Sequence, residues 1–165
     1  MTMRLAKSFL VLLIGLFALL VGVNNVLDYN SNFEFVRHVM AMDTTFANNA
    51  LKGRAITDPA LHHAAYALII AAEIATGLLC LAGAARLYRR RAAAAAEFER
   101  AKALAVVGLV LGFTLWFFGF MNVGAEWFLM WQSQNWNGQQ AAFRIIACIG
   151  IVLVFLGQRD AEPAR

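Results

Sequence analysis

A lone acid in the middle of a segment fit only for lipid constrains this chain more than any other feature. Residues 64–85 form a run of 22 in which Glu73 is the sole charge. At 1.5 Å per residue, a helix of that length covers roughly the 30 Å hydrocarbon thickness of a bilayer. Asp58 and Pro59 supply an N-cap and a first-turn proline, and Arg86, Arg89, Arg90 and Arg91 anchor the far end at the interface. The segment therefore reads as a spanning helix. An ionised carboxylate near its middle is costly unless it is neutral, paired or wetted, so Glu73 calls for a partner.

The rest of the chain has the composition of a protein whose solvent is lipid, with 61% hydrophobic and 15% charged residues. Its net charge of +4 does not point to nucleic acid, because the basic residues flank apolar runs. Cys80 and Cys148 sit in apolar runs without ligand spacing. They read as small buried side chains and not as a disulfide framework.

Four spans follow, at about residues 8–27, 64–86, 104–124 and 141–157. The first begins after Arg4 and Lys7 like a signal peptide, but the run is long for one and VGVNNVLDYN offers no small-residue cleavage site. Residues 28–63 form an outward loop in which Ser31 and Glu34 match a capping box. Phe33, Val36, Val39 and Met40 then share one face, which predicts a short helix lying on the surface or capping the bundle, with a binding lid as the sharper alternative.

The linker 87–103 is expected to continue as helix through RAAAAAEFERAK, whose residues are strong helix formers. In the third span Gly108 and Gly112 mark a face for close backbone approach, which Gly119 extends by seven residues. The outward loop 125–140 carries Trp127, Trp131 and Trp136 as interface anchors, the first two on one helical face. The polar tail QRDAEPAR carries no retrieval or lipidation signal.

Ten of the fourteen Lys and Arg fall in the amino-terminal segment, the stretch from Arg86 to Lys102 and the tail, Arg159 and Arg165 included. By the positive-inside rule that side is cytoplasmic, and both termini with it. The fold expected is an all-α, polytopic four-helix bundle with an outward-facing loop cap.

The strings SNFEFVRHVMAMDTTF, GRAIT, LHHAAY with the downstream Glu73, and GAEWFLMWQSQNWNGQQAAFR together resemble a bacterial family of small four-span integral membrane proteins without an assigned function. The resemblance covers nearly the whole chain and is most specific in the last string. Gly53 departs from it, since tryptophan is expected before Arg54. It implies fold and location but no catalytic residue or ligand.

Helical spacing puts His62, Tyr66 and Glu73 on one stripe from the outer surface to mid-membrane. Such a line can pass protons, or Glu73 can hold the helices in register. With each span centred in the bilayer, Glu73 lies about 3 Å and Arg144 about 8 Å outside the midplane, a gap that arginine covers. The expectation is a polar cluster of Glu73, Arg144, Glu126 and Asn122 in the outer half of the bundle, with Thr114 and Trp116 as further donors. His38, His62 and His63 do not supply facing spans with axial haem ligands, and His62, His38 and Asp43 have no recognised metal spacing. No phosphate loop or nucleophile elbow is present, so neither an enzyme nor a cofactor is expected. Two functions remain: an accessory protein whose cap or glycine face docks another membrane protein, and a small proton-coupled transporter using Glu73. Its expected partners are the bilayer and either a second membrane protein or further copies of itself.

Overall fold

The computed structural model describes residues 1–162, so Arg165 lies outside it. Regular structure among those residues is helical throughout. Four helices are long and apolar enough to cross a membrane: Thr2–Leu27 (α1), Pro59–Arg89 (α3), the stretch Ala95–Trp127, and Gln139–Gly157 (α6). The third is composite, made of α4 (Ala95–Ala101), α5 (Ala103–Thr114) and a π-helical segment, Leu115–Trp127. A further helix, α2 (Tyr29–Ala41), follows α1 after a break at Asp28.

The core of the bundle is a seam of small residues. On α1 the buried positions include Arg4, Ser8, Val11, Gly15, Ala18, Gly22 and Asn25, alternating steps of four and three. That is the 3.5-residue repeat of a left-handed helix pair. A Cβ on Gly15 would lie 3.0 Å from Cys80 Cβ, and one on Gly22 would lie 2.8 Å from Ile74 Cγ1. From the other side, a Cβ on Gly77 would meet Leu19.

The third span presses on a neighbouring flank of α3, and Cys80 touches both partners. A Cβ on Gly83 would lie 2.6 Å from Ala105 Cα, and one on Gly108 would lie 2.9 Å from Cys80 N. Gly112 meets the Thr76 methyl in the same way at 2.8 Å. Apolar side chains gain little by leaving lipid for one another, so such close backbone contact is what holds spanning helices together. Gly108 and Gly112 are thus spent inside the molecule. Gly119 does not extend their face: the nearest atom to its Cβ would be its own Leu115, at 3.8 Å. It belongs to the π-helical segment, whose wider turn carries a seven-residue step off the α5 face.

The end of the π segment alters the tryptophan loop. Phe128 N donates to Val123 O at 3.0 Å, five residues back, and Leu129 then takes a left-handed φ of 55°. Its buried side chain holds that conformation, uncommon for leucine, in place. The chain turns there, so Trp127 and Trp131 do not share a helical face as spacing predicts. Trp131 lies in the 3₁₀ turn Met130–Gln132. Both stay exposed, with Arg54 over the Trp127 ring at 4.6 Å and Phe46 edge-on to Trp131.

The far end of the bundle from the termini is capped by α2 and the two loops. Helix α2 starts two residues before Ser31, so the capping box does not form, and Ser31 Oγ donates to Asp28 Oδ2 instead. Val36, Val39, Met40 and Met42 pack with Tyr66, Ile70, Phe128 and Met130 as a second hydrophobic core. Thr44 Oγ1 and Trp136 N both donate to Ser133 Oγ at 2.9 Å, and Phe46 N to Gln132, which ties the two loops together. Trp136 stacks on His38 at 4.5 Å and is half-buried, a part of the cap more than a lipid anchor.

At the opposite end, α3 stops at Arg89 and residues 90–94 turn before α4, where composition predicts continuous helix. The reason lies across the bundle: Arg4 on α1 donates to Arg91 O at 3.1 Å and Ala93 O at 2.6 Å, taking carbonyls that a continuing helix would use. Arg4 also donates to Ala161 O. Both ends of the described chain therefore lie at one face of the bundle.

Candidate functional site

The stripe that α3 turns inward contains His62, Tyr66, Ile70 and Glu73, all buried. Glu73 is only 2% exposed, and its partner is Asn25 on α1, whose Nδ2 donates to Glu73 Oε2 at 2.8 Å. Asn25 is buried too, and its Oδ1 accepts from Asn32 Nδ2 at 2.6 Å. Asn32 is exposed at the start of α2, so a hydrogen-bonded line runs from the capped surface down to the acid. The Tyr66 hydroxyl makes a longer bond, 3.3 Å, to Asn25 O. His62 Nε2 donates to Ile56 O at 2.7 Å and holds the loop entering α3.

Above this line, Tyr29 OH lies 2.8 Å from His63 Nδ1, and Phe33 stacks on the His63 ring at 4.2 Å. On the cap, His38 Nδ1 donates to Asp43 at 2.7 Å while Nε2 accepts from Arg37. The guanidinium of Arg37 also bonds Glu34 and holds that carboxyl below its usual range. Among the described residues no three His, Cys, Asp or Glu side chains are placed to hold a metal ion.

The four-residue cluster expected around Glu73 does not assemble. Arg144, Glu126 and Asn122 are all exposed, and none makes a hydrogen bond or ion pair to Glu73. Depth along the membrane normal placed Arg144 beside Glu73, but depth says nothing about azimuth. Helix α3 packs between α1 and α5, whereas α6 packs on α5, the π segment and α1, so α3 and α6 stand diagonally. Of the other candidate donors, Thr114 is exposed, and Trp116 is buried near Phe17 without a bond to Glu73. Cys148 is exposed, unlike Cys80.

Asn25 escapes a reading of the sequence because it sits where the first apolar run gives way to polar residues, and Asn-Asn there looks like the start of a loop. The signal that finds it is the four-three alternation along α1, which reaches Asn25 as the next seam position after Gly22. Asn25→Ala strips the buried Glu73 of its donor and is expected to destabilise the fold by about 1–3 kcal/mol. A double-mutant cycle with Glu73→Ala on thermal unfolding should return a coupling of about 0.5–2 kcal/mol. A coupling of zero would separate the two residues.

A second buried polar cluster lies at the termini face. Lys7 and Lys102 both donate to Asp160 Oδ2, at 2.6 and 2.8 Å, and all three side chains are at most 6% exposed. Lys102 also bonds Glu99, and both lysines reach Gln158 O. Composition hides this cluster, because Arg4 and Lys7 read there as free orienting charges.

Hence two polar locks, one at each end of α1, fix a tightly packed bundle of four apolar helices. A family model described as "Predicted small integral membrane protein (DUF2165)" matches residues 3–159. The chain belongs to this family. No curated protein and no solved structure matches it. In this DUF2165 member both locks lie within the matched residues up to Arg159, except for Asp160 itself. Integral membrane location follows from the family and from the four spans together.

Proposed function

We propose that the protein is a non-enzymatic accessory component of the bacterial cytoplasmic membrane, with both termini cytoplasmic, that presents its outward cap to another protein. The observation that carries this reading is where the polar line ends. Past Glu73, toward the termini, the α1–α3 contact is closed by Gly77 on Leu19, where a Cβ would lie 2.5 Å from Leu19 Cγ, and by Gly15 on Cys80, where one would be in tight contact at 3.0 Å. The α3–α5 contact is closed likewise at Gly83 and Gly108. A solute path needs space and polar stations beyond mid-membrane. Thr76, whose buried Oγ1 has no hydrogen-bond partner, is the one polar side chain in the next turn of α3.

The cap, in contrast, is cross-tied and carries exposed Phe46, Trp127 and Trp131. Aromatic side chains held rigidly at a surface are the kind that anchor protein contacts. The side assigned as cytoplasmic is the one with Arg4, Lys7 and the arginines that end α3.

The transport reading draws support from the line Asn32–Asn25–Glu73, which would deliver protons from outside to the acid. Proteoliposomes decide between them. The accessory reading expects no flux above empty vesicles under a pH gradient, and no difference on Glu73→Gln. A flux that Glu73→Gln abolishes in a folded protein would overturn it. A photo-crosslinker at Phe46 in native membranes should give a discrete adduct to another protein, and one at the lipid-facing Leu68 should not.

A further inference from the structure

We infer that the outward-facing stripe of α6 receives a spanning helix of a different protein, one that carries an Asp or Glu where it meets Arg144. Contacts with the neighbouring helices fix the depth of that arginine. A Cβ on Gly112 would lie 3.2 Å from Ile149 Cδ1 and 2.8 Å from the Thr76 methyl, and one on Gly150 would lie 3.9 Å from Phe113. Gly112, Thr76 and Ile149 therefore share one level. Counted outward from it, Glu73 is three residues up α3 and Arg144 five residues up α6, so the two lie within about 3 Å of one depth. Residues 139–157 are about as long as the hydrocarbon is thick, which puts Arg144 roughly 7.5 Å below its outward edge.

Around the helix, Ala142, Ile146 and Ile149 are buried, and Arg144 is two residues, roughly 200°, from both Ala142 and Ile146. It points away from its own bundle. Ala141, Arg144, Cys148 and Ile151 are all exposed, in steps of three, four and three, the repeat by which α1 meets α3. Small residues stand on either side of the arginine, where another backbone can come close. Among the described residues Arg144 has no hydrogen bond or ion pair. This surface lies inside the bilayer, apart from the cap.

Charged side chains in a spanning helix face a bundle interior, a water-filled cavity or a partner, because lipid tails offer neither counter-charge nor hydrogen bonds. The acid inside this bundle already has its partner in Asn25. A second copy cannot supply the counter-charge. A two-fold axis along the membrane normal keeps every residue at its level, so it would set Arg144 against Arg144. Glu73 is buried, and Glu126 stands about ten residues farther toward the cap than Trp116, the level of Arg144. Lipid phosphate is the competing source, but it lies beyond the hydrocarbon edge and takes snorkelling with local thinning of the outer leaflet. Snorkelling also has no use for the small residues beside the arginine. An acid on a helix packed along this stripe pairs at the arginine's own depth.

A synthetic helix tests the charge rule on the full chain. An apolar Leu/Ala peptide of spanning length, with one Glu about 7.5 Å inside its outward end, is placed with the protein in lipid nanodiscs, and association is read by energy transfer. It should bind roughly tenfold more tightly than the same peptide with Gln, and Arg144→Leu should bind both alike. Because Arg144 is exposed and unbonded, the thermal midpoint of Arg144→Leu should match that of the unaltered protein, which separates lost pairing from lost fold. Equal binding of the two peptides, or a preference that survives Arg144→Leu, would overturn the proposal.

The natural occupant is sought at the same place. Cys148, one turn from Arg144, is exposed while Cys80 is buried, so it takes a photoreactive maleimide in bacterial membranes without any substitution. The adduct should join a spanning segment of another protein that has an acid level with Arg144. Arg144→Glu should remove the adduct, and replacing that acid by arginine as well should restore it. Adducts to lipid alone, to a second copy alone or to a segment without such an acid would contradict the assignment.

Discussion

Replacing Asp160 with alanine should be the most damaging single change outside the helix seams, lowering stability by about 3–5 kcal/mol. The carboxylate is the shared counter-charge of Lys7 and Lys102, so its removal leaves Lys7 buried without a counter-charge and beside Lys102, which keeps only Glu99. It also frees the segment that follows α6 from α1, and Arg4 then loses its ordered acceptor at Ala161 O. Thermal unfolding followed by tryptophan fluorescence measures the loss. Limited proteolysis should show cleavage after Gly157 that the native protein resists.

The same site predicts a pH dependence. Burial raises the Asp160 carboxyl, but hydrogen bonds and charge from Lys102 and Lys7 outweigh it and hold the group below its ordinary value. A carboxyl depressed in the folded state stabilises at every pH above its unfolded value, and that contribution fades as pH falls through the folded one. The contribution of this site should therefore be flat at neutral pH and fade only in acid below the usual carboxylate range. Asp160→Asn should lose that limb of the profile while keeping an acceptor for one lysine.

The second large effect is expected at glycines that no side chain can replace. Gly83→Ala would set a methyl 2.6 Å from the Ala105 backbone, and Gly108→Ala one 2.9 Å from Cys80 N. Backbone cannot step aside as a side-chain tip can, so each should cost about 1–3 kcal/mol or more. Gly119→Ala is the matched comparison, since its methyl would find only Leu115 at 3.8 Å. It should change stability by no more than about 0.5 kcal/mol. A loss at Gly119 as large as that at Gly108 would mean that the third span is a regular α-helix with one continuous glycine face.

That contrast also shows what the sequence can and cannot reveal. Apolar length and basic flanks disclose the number of spans, and the alternation on α2 discloses a cap helix, because both depend on local composition. The place of Arg144 stays hidden because a span fixes depth but leaves rotation free, and rotation is decided by which helices pack side by side. Gly119 stays hidden for a related reason: the switch from α to π winding after Thr114 has no residue signature, yet it rotates every position beyond it. The ends of α1 are hard to read because Asn25 and Lys7 look like flanks of an apolar run. Their burial depends on residues 48 and 153 positions away. Glu73 alone announced itself, since an acid at mid-membrane is conspicuous whatever surrounds it.

Helix α1 lies against α3 in the register that sets Asn25 on Glu73, and one cross-link reports on that register directly. Gly15→Cys, in a chain whose Cys148 is replaced by alanine, puts a thiol beside Cys80, where the introduced Cβ would be 3.0 Å from Cys80 Cβ. Mild oxidation in membranes should then close an intramolecular disulfide, seen as loss of both free thiols in the folded monomer. Leu16→Cys, on the exposed side of α1, should leave both thiols free. A folded Gly15→Cys protein that keeps both thiols, or a Leu16→Cys protein that loses them, would contradict the register and with it the site.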